Sequence, residues 1–131
     1  MSTDQAIQQI LKDTNTIAVV GISHKAHRAS YQVAQFLIEK GYTVIPVNPK
    51  YEEVLGQACY AKLEDIPVAV DMVDCFRRSE EIVPIAESAI RIGAKVLWMQ
   101  LGVENDDAAE MAQSAGMQVV MNRCPKIEYR G

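Results

Sequence analysis

The sequence lacks the features that mark secreted, membrane-spanning or metal-stapled proteins. Its three cysteines, Cys59, Cys75 and Cys124, form an odd set with no CxxC pair and no zinc-ligand spacing, so they read as reduced thiols of a cytosolic protein. No apolar run approaches the roughly 18 residues of a membrane span. The amino terminus carries acid and glutamine where a secretory signal would need a basic and then an apolar segment. A cytoplasmic location is expected. Positive charge is in the minority: 13 Lys and Arg against 17 Asp and Glu leave a net charge of -4, which argues against nucleic acid as a partner. Glycine is missing where a dinucleotide site would need it, because Gly21 is followed by Ile22 and Ser23 and no GxGxxG turn forms. No nucleoside-triphosphate motif is present either, and no Tyr-x-x-x-Lys pair supplies the proton donor of a small oxidoreductase.

What remains is a chain of 131 residues, 49% hydrophobic and 23% charged, which is enough for one domain with its own core. Ser2 or Thr3 caps a first helix carrying Ile7, Ile10 and Leu11. Apolar runs at Thr16–Val20, Tyr42–Pro49, Val68–Phe76, Lys95–Met99 and Gln118–Met121 read as five strands, and Pro46 and Pro49 mark where the second leaves the sheet. Helical stripes fall between them at Tyr31–Lys40, from Ser79 to Gly93, and after Asn105. Ser30, Ser79 and Asn105 are the expected caps, and Pro84 predicts a kinked or divided start to the second of these helices. From Lys50 to Pro67 the pattern is irregular, and only turns and a short helix near Lys62–Asp65 are expected. Alternating strands and helices with right-handed crossovers give a doubly wound α/β parallel sheet, for which we expect the strand order 3-2-1-4-5. Ligands bind such sheets at the switch point, here expected between the loops after the first and fourth strands.

The stretch from Thr16 to Ser30 organises this reading. A strand runs into Gly21, a polar loop carries Ser23, Lys25 and Arg28, and a helix begins at Ser30, whose free amides suit an anion. Seven cations, Lys25, Arg28, Lys50, Arg77, Arg78, Arg123 and Lys126, follow predicted strand ends, gathering positive charge on one edge of an acidic protein. Arg77 and Arg78 are adjacent and cannot both point inward, so one of them is expected at the surface. His24 and His27 have no neighbouring carboxylate to orient them as a base and are not read as catalytic. The second strand ends in Asn48-Pro49-Lys50 rather than the acid of an NAD site, and a lysine there suits a phosphorylated ribose, as in NADP or coenzyme A.

The segments Ala18–Ser23, Arg28–Tyr31, Gly41–Lys50, Val73–Arg77, Trp98–Gly102 and Asn122–Lys126 together resemble the small stand-alone CoA-binding proteins related to the amino-terminal domain of the succinyl-CoA synthetase alpha subunit. The resemblance implies a Rossmann-like domain that binds CoA. It implies Gly21, Ser23, Arg28 and Ser30 at the diphosphate, Val47, Asn48, Pro49 and Lys50 at the nucleoside end, and Phe76, Gln100, Gly102 and Cys124 along the pantetheine arm. Lys25 and Arg77 join them as cations of the same edge. The synthetase's phosphohistidine domain is absent, so the resemblance favours a CoA or acyl-CoA binding module without a catalytic constellation, acting as carrier, sensor or accessory to a CoA-using enzyme. A small NADP-dependent oxidoreductase and a partner-dependent subunit of an acyl-CoA ligase are the alternatives. Arg123 and Lys126 flank Cys124, and cations favour a thiolate, so Cys124 reads either as a reactive thiol or as a small residue packed beside Pro125.

Overall fold

β-Branched and apolar residues run without a break through Ile17–Val20 and Val96–Met99, which suits strands covered on both sides. In a computed structural model, which describes residues 3–131, the chain runs α1 (Asp4–Asp13), β1 (Thr16–Val20), α2 (Ala29–Glu39), β2 (Thr43–Val47), and a small hairpin of β3 (Glu53–Val54) and β4 (Gln57–Ala58). A 3-10 turn at Leu63–Asp65 leads to β5 (Met72–Cys75), and a second at Ser79–Glu81 leads to α3 (Ile82–Arg91). Then follow β6 (Val96–Met99), α4 (Asp106–Ser114), β7 (Gln118–Val120) and the short α5 (Pro125–Glu128). Thr3 caps α1 by accepting from the Ala6 N–H, while the alternative cap, Ser2, lies outside the described residues. Asn105 caps α4 as expected, accepting from Ala108.

The sheet is parallel throughout, in the order β2-β1-β5-β6-β7. Numbering only its five strands along the chain, this is 2-1-3-4-5, which corrects the expected 3-2-1-4-5. Two local facts dictate it. The outer edge of β2 is occupied by the returning chain, with Tyr60 N–H donating to Pro46 O (3.0 Å) and Asn48 N–H to Tyr60 O (2.9 Å), so no further strand can pair there. The connection after β2 also packs Leu63 into the core half opposite α2. A right-handed crossover on that opposite face must travel back across β1 rather than onward from β2. Pro46 fits this edge position, since a central strand would need the N–H it lacks.

The two faces of the sheet carry two halves of the core. Ala18, Val20, Val73, Cys75, Leu97 and Met99 point toward α3 and α4, whereas Ile17, Val19, Met72, Val96 and Trp98 point toward α1, α2 and α5. Trp98 is fully buried and spends its indole N–H on the Arg123 carbonyl (2.8 Å), holding the turn after β7 against the sheet. The third predicted strand is shorter than expected, since β5 starts at Met72 and Val68 is exposed. Among the described residues no helix is long and apolar enough to cross a membrane.

Candidate functional site

With this arrangement the order in which successive strands are added reverses between β1 and β5, so the switch point lies between the loops after the first and third sheet strands, not the first and fourth. Gly21 marks it. Its φ is +85°, and a β-carbon there would run into the carbonyl oxygen of Phe76, at the end of β5. Its own N–H donates to Val47 O (2.9 Å), so it closes the ends of β2, β1 and β5 together. Glycine is thus required by neighbouring backbone, not only by the turn.

The loop after Gly21 is held from inside. Ile22 is buried, and its carbonyl accepts from the Asn48 side-chain amide at 2.9 Å. The Asn48 carboxamide oxygen accepts from the Lys50 N–H (2.9 Å), so this buried side chain braces both loops and fixes the turn that presents Pro49 and Lys50. Ser30 does not cap α2. The cap position belongs to Arg28, which makes no side-chain capping bond. Ser30 Oγ instead accepts from the Ser23 N–H (2.9 Å), and Ser23 Oγ accepts from the Lys25 N–H (3.0 Å). The first turn of α2 therefore has neither a side-chain cap nor an acid, and its positive end is left open. His24 lies against the Tyr51 ring at 4.6 Å between centroids.

The seven edge cations divide sharply. Arg78 pairs with Glu81, its side chain 77% exposed, which makes it the surface member of the Arg77–Arg78 pair. Arg123 is taken by Asp4 and Glu128, and the Lys126 ammonium sits over the Phe36 ring. Among the described residues Lys25, Arg28, Lys50 and Arg77 have no acidic partner. These four follow β1, β2 and β5, three adjacent strands; Lys25 and Arg28 lead into α2, and Arg77 lines a crevice with Ala29 of its first turn.

Beside them opens a crevice of about 610 Å³ lined by Ala29 and Val33 of α2, Phe76, Arg77, Gln100, Gly102 and Cys124, among others. The loops that frame it are laced together. Ser79, expected to cap a helix, donates to Gly102 O and accepts from Glu104 N–H, while the Gly102 N–H donates to Asn122 Oδ1 at 2.7 Å. Pro84 falls early in α3, and the 3-10 turn before it is the divided start that proline implied. Cys124 is buried at the crevice wall, Cys75 is sealed in β5, and Cys59, outside the crevice lining, gives its thiol to Asn48 O.

One polar pair under the crevice escaped the sequence reading. Asp74 in β5 is wholly buried, and its Oδ1 accepts from Gln100 Nε2 at 2.8 Å. Its Oδ2 has no partner among the described residues. Burial pushes the Asp74 carboxyl up to about 7, against the Gln100 bond, which lowers it. Its register neighbours are Val19 and Trp98. The available signal was weak, since the expected strand Val68–Phe76 holds two acids, Asp71 and Asp74.

Comparisons with known proteins show the family of the chain. Residues 15–130 match the family model described as CoA binding domain. The uncharacterized protein YneT of Bacillus subtilis is 37% identical over 123 residues, covering 94% of this chain and 91% of that protein. The alpha subunit of acetate–CoA ligase (ADP-forming) II of Pyrococcus furiosus is 28% identical over 123 residues, 85% of this chain but 27% of the subunit, so the chain spans about a quarter of that relative. The solved structure of a hypothetical protein from Pyrococcus horikoshii OT3 superposes with a TM-score of 0.94 at 44% identity, over 97% of this chain and 89% of that one. The match of residues 15–130 to that family model makes the chain a member of the CoA-binding domain family.

Proposed function

We propose that the protein binds coenzyme A or an acyl-CoA along the carboxyl edge of the sheet, as a carrier, sensor or accessory module without chemistry of its own. One observation carries this reading: Lys25, Arg28, Lys50 and Arg77, which have no acidic partner among the described residues, follow the carboxyl ends of three adjacent strands at the uncapped start of α2, beside a mostly apolar crevice. A ligand with phosphates at one end and a long, uncharged arm at the other matches such a surface. In this reading Gly21, Ser23, Arg28 and Ser30 form the diphosphate loop. Asn48 holds Lys50 toward the 3′-phosphate, and the arm lies past Phe76, Gln100 and Gly102 toward Cys124.

Titration calorimetry with CoA, 3′-dephospho-CoA and NADPH tests it. A charge-assisted phosphate contact is worth roughly 1.5 to 3 kcal/mol, so dephospho-CoA should bind at least about tenfold more weakly than CoA. Equal affinities, or tighter binding of NADPH, would reject the assignment and favour the oxidoreductase alternative. The likeness to a ligase alpha subunit supports a second reading, in which the module works with a larger CoA-using enzyme. Affinity purification from the native host at low salt tests that reading, with a stoichiometric ligase subunit as the expected companion.

A further inference from the structure

A carboxyl group that is fully buried with one oxygen unpartnered costs stability that an apolar residue would not. Asp74 is such a group, in a strand whose other members and lateral neighbours are apolar. Asp74 does not line the crevice, so a ligand meets it only through Gln100, which does. The Gln100 amide is committed on one side: its Nε2 donates to Asp74 Oδ1. Among the described residues its Oε1 accepts nothing and, unlike Asp74 Oδ2, is not sealed from solvent. An ionised carboxylate can only accept, so it selects the amide orientation in which nitrogen points inward and oxygen outward.

We infer that Asp74 is a positioning residue that locks the Gln100 side chain with its carbonyl oxygen toward the crevice, making the crevice floor an acceptor for an amide N–H of the ligand's arm. The inference rests on the CoA reading, since CoA carries secondary amides along its pantetheine arm and none at its nucleotide end. The chemistry selected is that of a neutral N–H donor. A bare hydrocarbon chain would gain nothing from Gln100, and a second acceptor would be repelled by it. Phe76, two residues beyond Asp74 on the same strand line, supplies an apolar surface beside this acceptor. The polar pair thus fixes where along the crevice an amide sits, and the buried acid does so without touching the ligand.

The test compares CoA with adenosine 3′,5′-bisphosphate, which keeps the nucleoside end and lacks the arm, by calorimetry at pH 8. Gln100→Met and Asp74→Leu should each weaken CoA about fivefold to tenfold, the value of one neutral hydrogen bond, and leave the bisphosphate within twofold. Asp74→Asn, which retains an acceptor for Gln100, should stay within about threefold of the unsubstituted protein for CoA. The double variant Asp74→Leu/Gln100→Met should bind CoA no worse than Gln100→Met, because the acid acts only through the amide. Additive losses, equal losses on both ligands, or an Asn variant as weak as the Leu variant overturn the inference. Should Asp74→Leu fail to fold, an unchanged CoA-to-bisphosphate ratio in Gln100→Met overturns it alone. Failure of the unsubstituted protein to bind CoA at all is a different result, and removes the underlying CoA reading instead.

Discussion

A β-carbon on Gly21 would occupy the space of the Phe76 carbonyl oxygen, so the end of β1 and the end of β5 meet at a point where only glycine fits. Glycine at the end of a first strand usually invites an explanation from the ligand. Here the chain itself supplies one, and it can be measured without any ligand. Gly21→Ala must adopt a φ of +85° with a side chain and push the ends of β1 and β5 away from each other, which should cost about 2–4 kcal/mol. Urea unfolding of the ligand-free variant reads this directly, and a loss under about 0.5 kcal/mol would show that the strand ends separate freely.

Arg28 stands at the opposite extreme. It is exposed, sits at the cap position of α2, and makes no side-chain capping bond, so it supports little of the fold. Arg28→Ala should weaken CoA about tenfold while changing unfolding free energy by less than about 0.5 kcal/mol. Arg91→Ala is the control for bulk charge, because Arg91 pairs with Glu64 far from the crevice. Similar losses of affinity in both variants would mean that the protein's overall charge, rather than the α2 end, attracts the ligand.

How far the sequence carried this picture depended on how local each signal was. The five strands, an α1 cap at Ser2 or Thr3, the Asn105 cap and the divided start of α3 follow from residue spacing and Pro84, and the main departure in bounds is the third strand, which starts at Met72 rather than Val68. The strand order is a non-local property and was misjudged, although Pro46 already argued against a central second strand. Ser30 has the right chemistry for a cap, yet its oxygen serves the Ser23 N–H seven residues earlier. The cations show the same divide. Arg78 and Glu81 are three residues apart and their pairing is readable, whereas Arg123 meets Asp4 from the other end of the chain. Asp74 is one of two acids in the apolar run Val68–Phe76 and carries no mark of its own, and only the fold brings Gln100 to it from 26 residues away.

Asp74 also makes stability depend on pH. Its folded-state pKa of about 7 lies above the ordinary 3.8, so the folded protein binds the extra proton between those values. The contribution is fully present below about pH 4 and is lost as pH rises through 7. Asp74→Asn removes this titration. Relative to the unsubstituted protein, the variant should gain about 2–3 kcal/mol between pH 5 and pH 8, as an upper value. Thermal unfolding of both proteins across that range checks the sign, and a parallel pair of curves would place the carboxyl's titration elsewhere.

Cys124 provides the last prediction, on different grounds from those its neighbours suggested. Arg123 pairs with Asp4 and Glu128 and the Lys126 ammonium rests over Phe36, so both cations have partners other than the thiol. What remains is position: Cys124 lines the crevice, and a CoA arm lying there would hold sulfur beside it at high effective concentration. With CoA disulfide, the Cys124 thiolate attacks one sulfur, a mixed disulfide forms, and the other CoA leaves as its thiolate. Cys75 is sealed from solvent, and burial, then Asp74, pushes its thiol well above the usual range. Burial also raises the Cys59 thiol, which is held on Asn48 O outside the crevice lining. Peptide mapping should therefore find CoA on Cys124 first, and adenosine 3′,5′-bisphosphate should slow the reaction by occupying the nucleotide end. Modification of Cys59 ahead of Cys124, or a rate indifferent to the bisphosphate, would mean that the arm does not lead to this thiol and that Cys124 serves packing beside Pro125.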